Sequence, residues 1–120
     1  MARILVCDDS AFMRMLLTRV LSNMGHEVVA EAANGNEAVE KYRRYKPDLT
    51  TMDITMPECD GIEAVKLICG KDKKAKIVMV TAIGQQPILR EAIAAGALDF
   101  IVKPFVEEQV VKTVAGILAK

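Results

Sequence analysis

Five short, mostly apolar runs alternate along this chain with five segments of helical character, and that alternation restricts the fold more than any other feature. The runs lie at 3–7, 27–33, 48–52, 77–80 and 98–102. The first, ending Ile4-Leu5-Val6-Cys7, is a continuous apolar stretch, as a strand covered on both faces should be. Between the runs the pattern changes to helical spacing. Apolar residues fall at 13, 16, 17, 20, 21 and 24, the stripe of one helix face. Ser10 is placed to cap that helix and Gly25 to stop it. Asn34 with Glu37, and Asp60 with Glu63, have the spacing of capping pairs. The first opens a helix to about Tyr45, ended by Pro47, and the second a helix from Gly61 to about Cys69, closed by Gly70. Pro87 fits the first turn of a helix reaching Ala95. The last helix puts Val110, Val111, Val114, Ile117 and Leu118 on one face. Strand and helix in strict alternation, with short connections, predict an α/β fold with a parallel sheet, helices on both faces and right-handed crossovers.

Composition narrows the partners. A length of 120 residues suits one domain spanning 1–120, and 52% hydrophobic residues can fill its core. Lys plus Arg equals Asp plus Glu at 16 each, which argues against a nucleic-acid protein held by bulk charge. No apolar stretch approaches the ~20 residues that span a bilayer. The start, Met1-Ala2-Arg3, lacks signal-peptide character, so a cytoplasmic location is expected. Cys7, Cys59 and Cys69 are odd in number and lack metal spacing, as reduced thiols would be.

The charged residues carry the chemistry. Asp8 and Asp9 follow the first run, Asp53 the third, Thr81 the fourth and Lys103 the fifth. None follows the second. In an open parallel sheet, ligands bind beyond the carboxyl ends of the strands, where the strand order reverses. A flavodoxin-like, doubly wound (βα)5 sheet ordered 2-1-3-4-5 would bring these groups to one edge. Three carboxylates and one ammonium leave about −2, which repels itself and an incoming phosphate. One Mg²⁺ would cancel that charge, with oxygen ligands from Asp9 and Asp53, from Asp8 directly or through water, and from the main-chain carbonyl near Thr55. Asp53 is then the candidate nucleophile for an aspartyl phosphate, with Lys103 and the Thr81 hydroxyl placed to meet the phosphoryl oxygens.

These residues resemble the receiver domains of response regulators, and among them the single-domain members of chemotaxis. The likeness rests on Asp8-Asp9, on Met52-Asp53-Ile54-Thr55-Met56-Pro57 with Asp60-Gly61, on Thr81-Ala82 and on Val102-Lys103-Pro104-Phe105, in the family's order over nearly the whole chain. The resemblance implies Mg²⁺ at the acidic pair and phosphoryl transfer to Asp53 from a histidine kinase. Thr81 and Lys103 would sense the phosphoryl group, and Phe100 would swing inward. The partner, on the face of the fourth helix, fifth strand and fifth helix, would be the flagellar motor switch protein. It implies a monomer that binds neither nucleic acid nor membrane, slow self-catalysed phosphorylation and dephosphorylation rather than enzyme turnover, and room for a dedicated phosphatase. Two positions depart from the family pattern. Phe100 stands where many chemotaxis members have Tyr, and Thr55 where others have Asn; Thr55 and Ile83 line the approach of water in the family.

Other functions share some of these residues. A receiver of a non-chemotaxis pathway, or one cut from a larger regulator, has the same motifs. A phosphatase with an Asp nucleophile places a second Asp two residues on as acid/base, where this chain has Thr55. A flavin carrier on this fold cradles phosphate with hydroxyls and amides, where this chain has Asp8-Asp9. Singly, each feature has a plainer explanation. Asp8-Asp9 suits a helix N-terminus, Thr81 a strand, Phe100 a core, and Met13, Met15 and Met56 packing. Lys71-Asp72-Lys73-Lys74 reads as a solvated connection, His26 as a surface turn residue, and Gln85 and Gln86 as loop polarity.

Overall fold

The computed structural model describes residues 1–82 and 86–120, Gln86 by its backbone alone. In chain order the elements are β1 (Arg3–Cys7), α1 (Ala11–Asn23), β2 (Glu27–Ala32), α2 (Gly35–Tyr45) and β3 (Leu49–Asp53), then α3 (Gly61–Lys71), β4 (Ile77–Ala82), α4 (Gln86–Ala95), β5 (Asp99–Lys103) and α5 (Glu107–Leu118). The strands form one parallel sheet in the order β2-β1-β3-β4-β5, the flavodoxin-like arrangement expected. Ile83 and Gln85, which the sequence reading mentions, lie outside the described residues.

Alternation along the strands makes two cores. Leu5, Cys7, Met52, Ile77 and Met79 point to one face, where Val39, Val65, Ile68, Leu89 and Ala92 of α2, α3 and α4 cover them. Ile4, Val6, Leu49, Val78, Val80 and Ile101 point to the other, under Leu17 and Leu21 of α1 and Val110, Val114 and Ile117 of α5. Side chains this size each contribute about 1.5–3 kcal/mol when fully buried. β3, central in the sheet, is buried at all its positions. Its polar members Thr50 and Thr51 have hydroxyls without a hydrogen-bond partner among the described residues.

The caps follow the sequence. Ser10, Asn34 and Asp60 accept from the backbone N–H groups of Met13, Glu37 and Glu63, bonds of about 1 kcal/mol each. Gly25 and Gly96, at φ +90° and +130°, end α1 and α4 in a conformation that favours glycine. Gly70 does not end α3 as expected. It remains helical, the helix runs on to Lys71 and Asp72 caps it, because a glycine stops a helix only where the chain turns left-handed. Asp72 is also more than loop polarity, since its carboxylate accepts from the Tyr42 hydroxyl at 2.7 Å. His26 is partly buried, its Nδ1 accepting from the Ala2 N–H. Met15 is 48% exposed and does not pack as expected. Cys7, Cys59 and Cys69 are free thiols. Among the described residues no helix is long and apolar enough to cross a membrane.

Candidate functional site

The face that packs under α1 and α5 has its charged groups at the carboxyl end of the sheet. Asp8 comes two residues after Val6, Asp53 four after Leu49 and Lys103 two after Ile101, so all three continue the same inward-facing series. This shared parity explains how residues from distant parts of the chain meet. Lys103 Nζ lies 2.9 Å from Asp8 Oδ2 and 3.5 Å from Asp53 Oδ1. Asp8 and Asp53 are buried, and Asp9, out of step with them, is exposed. One carboxylate oxygen from each of Asp8, Asp9 and Asp53 lies within 4.8 Å of the others. Three hard oxygen donors with no sulfur or imidazole among them fit a hard divalent cation such as Mg²⁺.

Burial foremost, and the negative charge of Asp8 after it, push the Asp53 carboxyl up to about 6 against the opposing pull of Lys103. For Lys103 burial disfavours the ammonium, but its hydrogen bond to Asp8 and the charges of Asp53 and Asp8 outweigh that, so it is held above the ordinary lysine range.

Two close approaches set Asp53 in place. The Gly61 N–H donates to the Ile54 carbonyl at 2.8 Å. A Cβ on Gly61 would stand 1.9 Å from the Asp53 carbonyl oxygen, so the first turn of α3 sits directly against the backbone of Asp53. The sequence reading took Gly61 as a helix start. The Asp60-Gly61 pair was visible, but the contact depends on how the loop folds back.

Thr81 is buried in β4, one residue beyond Val80, the pairing partner of Asp53. Its hydroxyl donates to the Ala82 carbonyl at 3.4 Å. Phe100 is not at the cluster and not in the core. It pairs with Met79, so it faces the α4 side, where it is 40% exposed beside Leu89, Ile93 and Leu98. Thr81 follows Met79 by two residues and faces the same way, so it and Phe100 are diagonal neighbours across β4 and β5. Thr55 is exposed in the β3–α3 loop.

The description Response regulator receiver domain belongs to the family that matches residues 4–115. Chemotaxis protein CheY of Thermotoga maritima is 56% identical over 110 residues, 92% of each chain. CheY of Bacillus subtilis is 56% identical over 112 residues, 93% of each. Among solved structures, the response regulator domain of Thermotoga maritima CheB superposes with a TM-score of 0.91 at 39% identity, over 98% of this chain and 96% of that one. A CheX–CheY–BeF3–Mg²⁺ complex from Borrelia burgdorferi gives 0.93 at 36%, over 98% and 90%. With its fold, its acidic cluster and these likenesses, the chain belongs to the response regulator receiver domains of two-component signalling.

Proposed function

We propose that residues 1–120 act as a single cytoplasmic, monomeric receiver whose Asp53 accepts a phosphoryl group from a histidine kinase. The observation that supports it best is the Asp53 carboxylate, buried but reachable by Lys103 at 3.5 Å and grouped with two more carboxylates. The Asp53 oxygen forms a bond to phosphorus as the bond from phosphorus to the kinase imidazole breaks, and the imidazole leaves with the electron pair. Asp8, Asp9, Asp53 and the Thr55 carbonyl are the residues that would hold Mg²⁺, which when bound neutralises charge on the phosphoryl oxygens. Lys103 pairs with a phosphoryl oxygen, and the Thr81 hydroxyl turns toward it. Phe100, outward and diagonal to Thr81, moves inward into the space this opens, changing the face of α4, β5 and α5. That face binds the downstream partner, in chemotaxis the flagellar motor switch protein. The CheY relatives and the complex holding CheX, BeF3 and Mg²⁺ favour this reading and a dedicated phosphatase. Turnover is slow, because Thr55 stands where a phosphatase of this kind needs a proton carrier.

Intact mass after incubation with acetyl phosphate tests the acceptor. One phosphoryl adduct is expected, dependent on Mg²⁺ and absent in Asp53→Asn; an adduct that persists in Asp53→Asn would defeat the assignment. Binding of a flagellar switch peptide should tighten on phosphorylation. Equal affinity in both states removes the motor partner and favours a receiver of another pathway.

A further inference from the structure

Asp8 is the most constrained residue of the acidic cluster. Its N–H donates to the Ala32 carbonyl at 3.0 Å, at the end of β2. Its Oδ1 accepts from the Ser10 N–H at 2.9 Å and its Oδ2 from Lys103 at 2.9 Å. Its carbonyl oxygen accepts from Arg14 Nη1 at 2.7 Å. That last bond comes from a side chain on α1. The same guanidinium donates from Nε to Glu31 Oε1 on β2 at 2.8 Å, and the Lys41 ammonium in turn holds the Glu31 carbonyl.

The carbonyl of Asp8 belongs to the peptide that leads into Asp9. A peptide unit is planar, so fixing its oxygen also fixes the direction in which the Asp9 N–H and Cα leave it. Asp9 is the exposed carboxylate, where Asp8 is buried. A guanidinium is a rigid planar fork, and here its two used nitrogens tie α1 to the turn and to β2 at once. The Arg14–Glu31 pair itself is worth little as an ion pair, because the Glu31 side chain is 48% exposed. Its consequence is geometric. Glu31 aims the fork, and the fork holds the turn.

We infer that Arg14, seated by Glu31, is a positioning residue for cation binding, since it holds the Asp8–Asp9 turn in the conformation that presents the Asp9 carboxylate. This rests on reading the cluster as a Mg²⁺ site. Outer contacts that orient metal ligands typically change affinity by ~10–100-fold. A competing effect has the opposite sign, because removing a nearby cation alone would strengthen Mg²⁺ binding. The informative variant therefore keeps the charge balance. Arg14→Met with Glu31→Gln removes one positive and one negative group together.

Mg²⁺ affinity is read by titrating backbone amide shifts around Ser10, without phosphodonor, alongside thermal unfolding in EDTA. The double variant should unfold within a few degrees of the parent yet bind Mg²⁺ about tenfold more weakly. Arg14→Lys, which retains the charge but not the fork, should lie between. Mg²⁺ affinity within twofold of the parent, or tighter, in the double variant overturns the inference. Should the double variant not fold, Arg14→Lys alone decides it, since it keeps the positive charge and loses the fork. A threefold or larger loss supports the role, and an unchanged affinity refutes it. If the parent itself fails to bind Mg²⁺, the proposed function fails instead, and a mass adduct on Asp53 at saturating Mg²⁺ separates the two cases.

Discussion

Asp53 shows what it costs to keep a carboxylate out of water. Its carboxyl titrates near 6 in the fold against 3.8 ordinarily, mainly because burial disfavours the charge. A raised acid stabilises the folded state fully below its unfolded value, and that contribution is lost as pH rises through its folded one. Without divalent cation, then, the charge on Asp53 opposes folding above about pH 6. Asp53→Asn should be more stable than the parent at pH 7.5 in EDTA by on the order of 2 kcal/mol, the gap closing as pH falls from 6 toward 4. Urea unfolding at both ends of that range checks it; a gap that stays constant with pH means that Asp53 is not strained by its charge. The place of Asp53 beside Asp8 and Lys103 was legible in the sequence, because each follows an apolar run. The outward placement of Phe100 was not. β5 is an edge strand with a neighbour on one side only, and composition does not disclose that α4 leaves that position partly uncovered.

Among the elements, α3 has the closest bearing on the site. Its first residue sits against the Asp53 carbonyl, so the β3–α3 loop has no room for a methyl group. Gly61→Ala should destabilise the chain by about 1–3 kcal/mol and slow Asp53 phosphorylation, because helix or strand end must shift. Gly70→Ala is the control. A methyl there meets nothing within 4 Å, and helix propensity should raise stability by up to ~1 kcal/mol. If both substitutions act alike in chemical denaturation and acetyl phosphate kinetics, the contact is not what places Asp53. The same pair marks where sequence reading of elements succeeds and fails. Caps such as Ser10, Asn34 and Asp60 declare themselves by local chemistry. A glycine declares only a freedom, and whether the chain uses it to turn, to approach a neighbour or not at all is decided by packing.

Across the whole molecule, strand order and parity do the assembling. Apolar runs ending in Asp8, Asp53 and Lys103 lead to one carboxyl edge once the order 2-1-3-4-5 is taken over from the flavodoxin-like fold, and the sheet has that order. The Arg14 fork was not legible, because its partners are a carbonyl and a carboxylate supplied by β1's exit and β2, and backbone oxygens have no sequence signature. Cation binding to the finished cluster should stabilise the folded chain by mass action, about 2.7 kcal/mol at a hundredfold excess over the dissociation constant. The melting temperature should therefore climb with Mg²⁺ and stop climbing in Asp9→Asn with Asp53→Asn. A parental melting temperature indifferent to Mg²⁺ would show that the three carboxylates do not act together.

The bond from Lys103 to Asp8 joins residues 95 apart, near the two ends of the chain. A ribosome that has released only the first four strands has made Asp8, Asp9 and Asp53 but not Lys103. Such a nascent chain lacks the partner that Asp8 and Asp53 share in the fold. That pairing, and the charge balance it brings to the carboxyl edge of the sheet, is completed only with the last strand.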